Sequence, residues 1–510
     1  MRLRHCLRKN KDDNTKKERV VILGSGWAGY ALARTLDPAK FERVVISPRS
    51  YFVFTPLLAS TAVGTLEFRT ILEPVRRLPG IGFCQGWADD IDFRSKTVRV
   101  ESNAADDPAS KTVVPSDPVG PPGAAPKVKG EIFDISYDKL VIACGAYSQT
   151  FGIEGVREHA HFLRDIGDAR RLRLRVLSLF EQCSYPSSST DDSHQDTRPH
   201  LTDDDKRALL HFAIVGGGPT GIEYAAELHD LIYDDLATIY PDLLKFVRIT
   251  VYDVAPKVLP MFDQALAKYA MDTFARQGIE VKTQHHLQRI RPADGHLGKE
   301  HGALRIKIQE YGDDEVSAGV VIWSTGLMAN PLIQKLAGKE FVLPATAADP
   351  REPVDQQPAI SRLSKDPRTG GLVTDAFLRA QQHTSSNDNG TKVTHLNDVF
   401  VIGDCAVIAN DKTLPKTAQV ASQQATHLAK RLNKGDVDKT TFKFRNWGTM
   451  TYLGSWKAIH QSSADELKGW IAWVFWRGAY LTKSMSVRNK LLVPVYWVVS
   501  WLFGRGISRF

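Results

Sequence analysis

Two segments of the chain share one pattern of apolar and polar positions. In 20–36, VVILGSGWAGYALARTL, an apolar run is followed by a glycine-rich stretch and then by apolar residues at helical spacing. The same order returns in 211–228, HFAIVGGGPTGIEYAAEL. An apolar run predicts a buried strand, and a period of about 3.6 residues predicts a helix packed on it. Each segment therefore predicts a strand, a tight turn and a helix.

The glycines in these turns have a spacing that points to a ligand. The first glycine permits the tight turn, the second lets the backbone approach a pyrophosphate, and the third lets helix and strand pack closely. They are Gly24, Gly26 and Gly29 in the first segment and Gly216, Gly218 and Gly221 in the second. A single motif of this kind also occurs at ordinary strand–helix turns. Two in one chain predict two dinucleotide sites.

The order of the remaining apolar runs predicts the fold class. At 510 residues, of which 43% are hydrophobic, the chain is long enough for two or three domain cores. We expect an α/β protein with two Rossmann-like dinucleotide-binding domains, the second inserted in the first. The predicted bounds are 1–19 for a basic arm, 20–155 and 327–435 for the first domain, 156–326 for the second, and 436–510 for a C-terminal region. Polar segments at 103–129 and 187–206 are predicted as solvated insertions.

The residue that ends the second strand of each unit bears on the choice of nucleotide. An acid there bonds the ribose hydroxyls and repels a 2′-phosphate. Asp253 occupies this place after the second turn, which favours NADH over NADPH, although Arg248 and Lys257 nearby weaken the preference. After the first turn the strand ends at Ser47, which can donate to a ribose, and Arg49 follows, which can lie over an adenine.

Cysteine content and charge exclude some classes of function. The five cysteines contain no CxxC pair, so the sequence predicts neither a disulfide framework nor a metal site. The net charge is +8, and residues 441–510 hold ten basic residues against two acids, so the basic excess lies at the C-terminus. A basic, aromatic tail suits an anionic membrane surface. No nucleic-acid-binding module is present in the sequence, and we expect no nucleic-acid partner.

The basic arm leaves two interpretations open. Residues 1–19 carry eight basic residues and three acids and have no apolar core, which excludes a secretory signal. A mitochondrial presequence is one interpretation. A solvated basic arm is the other, because transit peptides have few acids and many serines.

Other motifs resemble a known superfamily. The strand ends ACG at 143–145 and STG at 324–326, and the late GD at 403–404, resemble the two-dinucleotide flavoprotein disulfide reductases. The resemblance implies that the first turn binds FAD and the second a nicotinamide dinucleotide. A disulfide reductase needs a cysteine pair soon after the first turn, whereas 51–58 reads YFVFTPLL. Electrons must therefore leave the flavin by another route.

Within the superfamily the chain resembles the type II NADH:ubiquinone oxidoreductases, which do not pump protons. The resemblance rests on FTPLL at 54–58, VYDVAPKVLPMFD at 251–263 and LPKTAQVASQQATHLAK at 414–430. Tail motifs at 444–458 and 469–490 are similar to fungal and plant members, and we interpret the chain as the fungal mitochondrial type. The family implies a peripheral position on the mitochondrial inner membrane, on a face that the sequence does not indicate, and a homodimer.

The resemblance also implies roles for individual residues. The implied FAD contacts, besides the first turn, Ser47 and Arg49, are Thr55, Pro56, Leu57, Gly145, Gly403, Asp404, Ala418 and Gln419, while the NADH contacts are the second turn, Glu223, Asp253 and Gly326. Gln419 and Gln424 are the candidate donors to a quinone carbonyl, and Glu223 the acid that meets the nicotinamide. Each assignment has an alternative. The glutamines would then only belong to an ordinary helix, Asp404 would only be a residue of the turn after a strand, and Glu223 would only be a solvated carboxylate. Lys416 and Gly506 depart from the family pattern.

The C-terminal region predicts contact with a membrane surface. Trp470, Trp473 and Trp476 recur at helical spacing, and the apolar run 491–503 follows four basic residues. That run has thirteen residues and contains Pro494, short of the ~20 needed to span a bilayer. We expect amphipathic helices that lie on the membrane. The alternative is that the aromatic stripes form the core or a homodimer interface.

The predicted reaction is hydride transfer from NADH to FAD, followed by transfer of two electrons to ubiquinone at the membrane surface. Two alternatives stay open. One is a flavoprotein reductase with a protein acceptor, and the other is a signalling flavoprotein similar to the apoptosis-inducing factors. Calcium regulation of the EF-hand type is not supported, because 385–390 lacks the first Asp and Leu396 stands where Glu is needed.

Overall fold

The computed structural model describes residues 17–103, 130–185, 201–342, 360–386, 390–462, 465–483 and 486–508. Most of the predicted basic arm lies outside the described residues, and so does most of each polar insertion. The side chains of 385–390, the run compared with a calcium-binding loop, also lie outside them. The α-helices are α1 (Trp27–Thr35), α2 (Leu58–Ala62), α3 (Val156–His159), α4 (Ile166–Ser184), α5 (Asp203–Leu209), α6 (Pro219–Asp230), α7 (Ala237–Ile239), α8 (Gln264–Arg276), α9 (Gly295–Lys299), α10 (Pro331–Gly338), α11 (Ala418–Lys434), α12 (Trp470–Lys483) and α13 (Val487–Phe503).

The strands follow the apolar runs. They are β1 (Glu18–Leu23), β2 (Phe41–Ser47), β3 (Tyr51–Val53), β4 (Leu72–Pro74), β5 (Ile81–Asp92), β6 (Thr97–Ser102), β7 (Ile132–Ser136), β8 (Lys139–Ile142), β9 (Ala146–Ser148), β10 (His161–Phe162), β11 (His211–Val215), β12 (Arg248–Asp253), β13 (Ile279–Thr283), β14 (Leu287–Pro292), β15 (Leu304–Ile308), β16 (Glu315–Ala318), β17 (Val320–Trp323), β18 (Leu327–Ala329), β19 (Glu340–Val342), β20 (Ile360–Leu363), β21 (Leu372–Thr374), β22 (Arg379–Ser386), β23 (Gly390–Val401), β24 (Ala406–Ile408), β25 (Thr449–Tyr452), β26 (Ala458–Gln461) and β27 (Glu466–Gly469).

The chain divides into two compact units. The first unit consists of Met1–Phe52, Glu73–Tyr147 and Leu327–Arg445, and the second of Val53–Leu72, Ser148–Gly326 and Asn446–Phe510. Both are α/β in character, so the predicted fold class is confirmed. The functional domain bounds given above stay a prediction.

The first unit is built on a large mixed sheet. Strands β23, β8, β1, β2 and β5 are neighbours in parallel, and antiparallel strands extend the sheet on both sides. The central strands are buried along their length because helices cover parallel sheets. In this register the carboxyl ends of β1, β2, β8 and β23 meet at one edge of the sheet. That edge is where ligands bind in doubly wound sheets.

The second unit carries a smaller parallel sheet and two antiparallel ones. Its parallel strands lie in the order β10, β17, β11, β12, β13, with α6 directly after β11. Strands β14, β15 and β16 form one antiparallel sheet, and β25, β26 and β27 form another. The core of the parallel sheet includes Ala213, Tyr252 and Trp323. The second turn of the sequence motif thus stands at the carboxyl end of the central strand β11.

The C-terminal region ends in two helices, as predicted. In α13 the buried residues are Asn489, Val493 and Trp497, spaced four apart, while most other apolar residues are exposed. Within the described residues, no helix is both long and apolar enough to cross a membrane. Both helices contact the segment Val53–Leu72, which belongs to the same unit. For example, Ser500 Oγ donates to Thr65 O at 2.9 Å.

Two element boundaries differ from the sequence prediction. The segment predicted as a solvated loop over 187–206 ends in helix α5, which begins at Asp203. Thr202 caps this helix by accepting from Asp205 N at 3.2 Å, and Asp205 accepts in return from Thr202 N at 2.9 Å. This reciprocal capping box overrides the polar composition of the segment. Strand β1 begins at Glu18, two residues before the predicted apolar run, because it pairs with β2 from that residue.

Candidate functional site

The first glycine turn has the geometry that its sequence predicts. Gly24 has φ of +110°, a backbone conformation that is strained for any residue with a side chain. A Cβ there would lie 2.5 Å from Ala143 O. A Cβ on Gly29 would lie 2.0 Å from Gly24 O, so helix and turn are in close contact. These two glycines are therefore required by the packing of the turn itself.

The middle glycine of the first turn has a different role. Gly26 is the N-cap of α1, and no side chain caps that end of the helix. A Cβ on Gly26 would meet nothing within 4 Å. Packing within the protein does not demand glycine there, so the open space suits an incoming ligand. Uncapped N–H groups at a helix N-terminus favour a phosphate.

The end of β2 holds the neighbouring loop in place. The hydroxyls of Ser47 and Ser25 are 2.9 Å apart, and Arg49 N donates to Ser47 Oγ at 3.2 Å. Ser25 Oγ lies 3.0 Å from Tyr51 O, to which it can donate. Ser47 is buried and its hydroxyl is engaged within the protein. The structure brings Ser47 and Arg49 to the edge where the first turn stands.

Two other strand ends complete this edge. Gly145 follows β8 with φ of +69°, and a Cβ there would meet nothing within 4 Å. Gly403 follows β23 with φ of +78° and packs against Ala28 of α1. Asp404 comes next and lines a cavity of about 240 Å³. The first turn, Gly145 and the Gly403–Asp404 turn are thus grouped at the carboxyl ends of adjacent strands.

Three glutamines of α11 differ in what they contact. Gln424 is buried, and its Oε1 accepts a hydrogen bond from Gly403 N at 2.7 Å. Gln423 binds the backbone of Arg445 through both ends of its amide, at 2.8 and 3.0 Å. Gln419 lies in the first turn of α11, beside Ala418, behind the N-cap Thr417. The sequence did not predict the bond between Gln424 and Gly403.

Lys416 stands just before the same helix. Its ammonium donates to Ala406 O at 2.5 Å and lines the cavity that Asp404 lines. Burial lowers the pKa of this lysine, while nearby acids partly offset that effect. The departure from the family pattern at 416 is therefore a buried cation inside the first unit.

Thr55, Pro56 and Leu57 fall in the second unit. They form one 3₁₀ turn, in which Leu57 is buried and Thr55 is exposed. The preceding Phe54 donates from its N–H to Ile71 O at 2.8 Å, and its ring meets that of Tyr480 edge to face. The contacts within the unit tie this segment to α12.

The second glycine turn repeats the geometry of the first. Gly216 has φ of +117°, and a Cβ on Gly221 would lie 2.0 Å from Gly216 O. Gly218 is the N-cap of α6, lacks a side-chain cap, and would meet nothing within 4 Å if it carried a Cβ. Gly326, after β17, has φ of +76° and packs against Phe151. Both turns thus combine two glycines required by packing with one that faces open space.

Asp253 lies directly against the second turn. Its Oδ2 accepts from Gly217 N, and its Oδ1 accepts from Ala255 N at 2.7 Å. These two bonds hold the carboxylate beside the turn, at the end of β12, where the sequence predicts it.

Glu223 begins a row of acids along α6. Its Oε1 accepts from Tyr452 N at 3.3 Å, and burial raises its pKa to about 8. Glu227 accepts from Ser60 and Thr65, and burial raises its pKa as well. The spacing of four residues puts both on one face of the helix. Glu223 is therefore not a solvated carboxylate.

The row continues into a buried ion-pair network. Asp230 accepts from the Tyr452 hydroxyl at 2.6 Å and from Ser455 N at 3.0 Å. Arg505 pairs with Asp235 and, at 3.2 Å, with Asp234, and neighbouring acids raise its pKa despite burial. The tail thus supplies the cation for the acids of this helix and the turn that follows it. No motif in the sequence indicated this network.

A second feature of the tail holds its helices together. The guanidinium of Arg477 lies between the rings of Trp473 and Trp497, 4.2 and 4.3 Å from their centroids. Such cation–π contacts strengthen when the cation is desolvated. Among the described residues, no group of three or more metal-ligating side chains is present.

Comparison with known proteins places the chain in a family. A family model described as pyridine nucleotide-disulphide oxidoreductase matches residues 18–342, and one described as NDH2 C-terminal domain matches residues 447–506. The chain is 33% identical to a probable NADH dehydrogenase of Dictyostelium discoideum, over 97% of this chain and 92% of that protein. It is 31% identical to external NADH-ubiquinone oxidoreductase 2, mitochondrial, of Saccharomyces cerevisiae, over 97% of this chain and 82% of that protein.

Solved structures share the fold. The NDH2 from Plasmodium falciparum in complex with NADH aligns with a TM-score of 0.74 at 23% identity, over 97% of this chain and 100% of that chain. The sulfide:quinone oxidoreductase of Aquifex aeolicus aligns with a TM-score of 0.59 at 18% identity, over 96% of each chain. Because the first family model covers more than half of the sequence and the relatives match nearly all of it, the chain belongs to the pyridine nucleotide-disulphide oxidoreductase family and, within it, to the type II NADH:ubiquinone oxidoreductases.

Proposed function

We propose that the protein is a flavoenzyme that oxidises NADH and reduces ubiquinone without pumping protons. The observation that carries this proposal is the pair of glycine turns, each with an uncapped helix N-terminus and a middle glycine that faces open space. The relatives in yeast and potato are named NADH- and NAD(P)H-ubiquinone oxidoreductases. Together these features support two dinucleotides, one bound as a cofactor and one as a substrate.

The first unit supplies the residues for FAD. The proposed contacts there are Gly24, Gly26, Gly29, Ser47, Arg49, Gly145, Gly403, Asp404, Ala418 and Gln419. For Thr55, Pro56 and Leu57 the FAD contact stays a prediction that rests on the family resemblance. FAD bound there would accept a hydride and pass on two electrons. The uncapped N–H groups of α1 would bind and orient its pyrophosphate. Gln424 keeps the Gly403 turn in position through its bond to Gly403 N.

The second unit supplies the residues for NADH. The proposed contacts are Gly216, Gly218, Gly221, Glu223, Asp253 and Gly326. Asp253 selects against a 2′-phosphate because its charge is fixed beside the turn by two N–H donors. Glu223 holds a proton at neutral pH, since its pKa is raised to about 8, and presents a neutral acid near the start of α6. The catalytic work of these residues is alignment of the nicotinamide.

We propose that the quinone is reduced next to the start of α11. We propose Gln419 as the donor to a quinone carbonyl. Gln424 is assigned a positioning role instead, because its carbonyl oxygen already accepts from Gly403 N. The amide N–H groups of Gln424 can still donate. A role as donor to the quinone carbonyl, as predicted from the sequence, is therefore the alternative.

The C-terminal helices support attachment to a membrane surface. Leu491, Trp501 and Phe503 of α13 are exposed by 66%, 67% and 81%. Basic residues on the same tail suit anionic headgroups. We propose that α12 and α13 lie in the lipid interface and collect the lipophilic quinone there. The relatives named mitochondrial support a mitochondrial location, and within it we propose a peripheral position on the inner membrane.

Subtype and assembly are further parts of the proposal. Relatives from slime mould, potato and yeast match at 33%, 31% and 31% identity, so the fungal mitochondrial type stays a prediction. We also propose a homodimer, because an exposed apolar face such as that of α13 marks a contact with another protein chain or with a membrane. Light scattering of the detergent-solubilised protein measures the mass, and a monomer at micromolar concentration would contradict the dimer.

A steady-state assay tests the proposed reaction. The purified protein is mixed with NADH and a short-chain ubiquinone analogue, and NADH oxidation is compared with and without the quinone. Flavin released by heat is identified as FAD by its mass. We expect quinone-dependent turnover at one FAD per chain. Turnover only with an iron–sulfur protein, or bound NADH without turnover, would favour a protein acceptor or a signalling role.

A further inference from the structure

One aromatic residue of the second unit is both exposed and strained. Phe151 has φ of +55°, a backbone conformation that large side chains rarely adopt, and 57% of the residue is exposed. Burial of a phenyl ring stabilises a fold, and a relaxed backbone does the same. Phe151 contributes neither. Strained residues persist where the surrounding structure holds them, and they cluster at ligand sites.

The chain around this residue is held firmly against the end of strand β17. Gln149 N donates to Gly326 O at 3.3 Å, and Trp323 Nε1 donates to Gln149 O at 2.9 Å. Ile153 N donates to Thr150 O at 3.0 Å, across the turn that carries the phenylalanine. All of these residues belong to the second unit. The turn therefore fixes where the exposed ring stands.

One edge of the ring lies on the residue that follows β17. A Cβ on Gly326 would lie 2.8 Å from Cε2 and 2.9 Å from Cζ of Phe151, so the phenyl ring takes the place of a side chain at 326. The ring of the buried Trp323 is the next neighbour, with 6.4 Å between the two centroids. The rest of the Phe151 ring is open to solvent. It forms an apolar surface beside the end of the strand.

This surface is next to the second glycine turn, on the side away from Asp253. Ser324 Oγ would lie 2.8 Å from a Cβ on Gly216 and 2.6 Å from a Cβ on Gly221, so the end of β17 packs directly on that turn. Strands β17 and β12 flank β11 on opposite sides. A dinucleotide lies across the ends of such strands, with its adenine ribose at the acid and its pyrophosphate at the helix. The nicotinamide half then points toward β17.

We propose that Phe151 is a further substrate-binding residue, the apolar contact for the nicotinamide ring of NADH. This inference rests on the proposed NADH site of the second unit. Aromatic rings attract one another in stacked and in edge-to-face arrangements, and a phenyl ring suits the flat nicotinamide in either. Because the turn already holds the phenylalanine in place, the contact costs little ordering on binding. Phe151 thereby orients the ring and keeps water from one side of it.

Equilibrium binding of two nucleotides to the purified holoenzyme tests the contact. ADP-ribose carries the adenosine, the pyrophosphate and the second ribose of NAD⁺ but has no nicotinamide ring. In Phe151→Ala we expect the Kd for NAD⁺, measured by calorimetry, to rise about fivefold and the Kd for ADP-ribose to stay the same. Phe151→Tyr should bind both like the wild type. An equal rise for both nucleotides, or no change for either, would overturn the proposal.

Two further variants separate binding from folding. Phe151→Gly removes the ring and also relieves the strain at φ of +55°, so it stays folded and should weaken NAD⁺ binding as Phe151→Ala does. Tyr185→Ala removes another ring of the second unit, 59% exposed, and should leave both Kd values unchanged. Full NAD⁺ affinity in Phe151→Gly would refute the contact. A wild-type protein that binds neither nucleotide would instead refute the NADH site itself.

Discussion

The backbone N–H of Tyr452 donates a hydrogen bond to Glu223 Oε1 at 3.3 Å, which joins the C-terminal strand β25 to helix α6. The hydroxyl of the same tyrosine donates to Asp230 Oδ2 at 2.6 Å. One residue of the tail therefore contacts two carboxylates on the helix that begins at the second glycine turn. The tail is an integral part of the nucleotide-binding unit, in addition to its proposed contact with lipid.

The raised pKa of Glu223 predicts a pH-dependent stability. Its pKa is raised from 4.5 to about 8 by burial, so between these values the folded protein binds more protons than the unfolded chain. The stability that the protonated carboxyl contributes is complete below pH 4.5 and is lost as the pH rises through 8. In Glu223→Gln this loss disappears. We expect the Tm of the variant relative to wild type to rise steadily between mildly acidic and mildly alkaline buffer.

Thermal unfolding followed by circular dichroism checks this prediction. Glu300→Gln, at the exposed end of α9, serves as the control and should follow the wild type at each pH. Parallel Tm curves for Glu223→Gln and the wild type would show that Glu223 titrates as in the unfolded chain.

Asp253 is predicted to set the preference for NADH. Replacement by Ser keeps an acceptor for Gly217 N but removes the charge that opposes a 2′-phosphate. We expect kcat/KM for NADH to fall about tenfold and that for NADPH to rise. Steady-state kinetics with both nucleotides measure the ratio, with Asp272→Ser on the exposed face of α8 as the control. An unchanged NADH to NADPH ratio in Asp253→Ser would refute the assignment.

Gln424 is predicted to support the fold of the FAD site. In Gln424→Leu the N–H of Gly403 loses its acceptor in a buried setting, which costs about 1–3 kcal/mol. We expect a lower midpoint in urea unfolding and faster loss of flavin on dilution. Gln334→Leu, exposed on α10, should leave both unchanged. Normal stability with slow quinone reduction alone would instead favour Gln424 as a quinone donor.

The exposed face of α13 is predicted to bind lipid. Replacing both Trp501 and Phe503 by Ser removes two of its most exposed apolar side chains. We expect the partition coefficient onto anionic liposomes to fall about a hundredfold or more, because burial of each such side chain contributes about 1.5–3 kcal/mol. A double variant of Val254 and Ile360 to Ser, exposed elsewhere, is the control. Equal sedimentation of the two variants would refute the anchor.

The sequence predicted those features that depend on short-range patterns. The period of apolar residues located β1, α1, β11 and α6, and the glycine spacing located both turns, because strand, turn and helix lie within one stretch of chain. Asp253 was identified for the same reason, since it ends the strand next to the second turn. The fold class followed from repeating these patterns.

Long-range contacts could not be predicted in this way. An acid row at Glu223, Glu227 and Asp230 on an isolated helix predicts a solvated face, and the chain buries it with residues more than 160 positions away. The bond between Gln424 and Gly403 depends on how α11 packs beside the turn after β23. Only the assembled sheets determine these contacts.

A stopped-flow experiment tests the central claim, a relay of two electrons from NADH through FAD to ubiquinone. The oxidised protein is mixed with one equivalent of NADH and then with a short-chain ubiquinone analogue, in the wild type and in Gln419→Ala. We expect loss of flavin absorbance on the first mixing and its return on the second, with the return slowed about tenfold or more in the variant and the first step unchanged. Flavin that NADH does not bleach, or that quinone does not reoxidise, would rule out this relay.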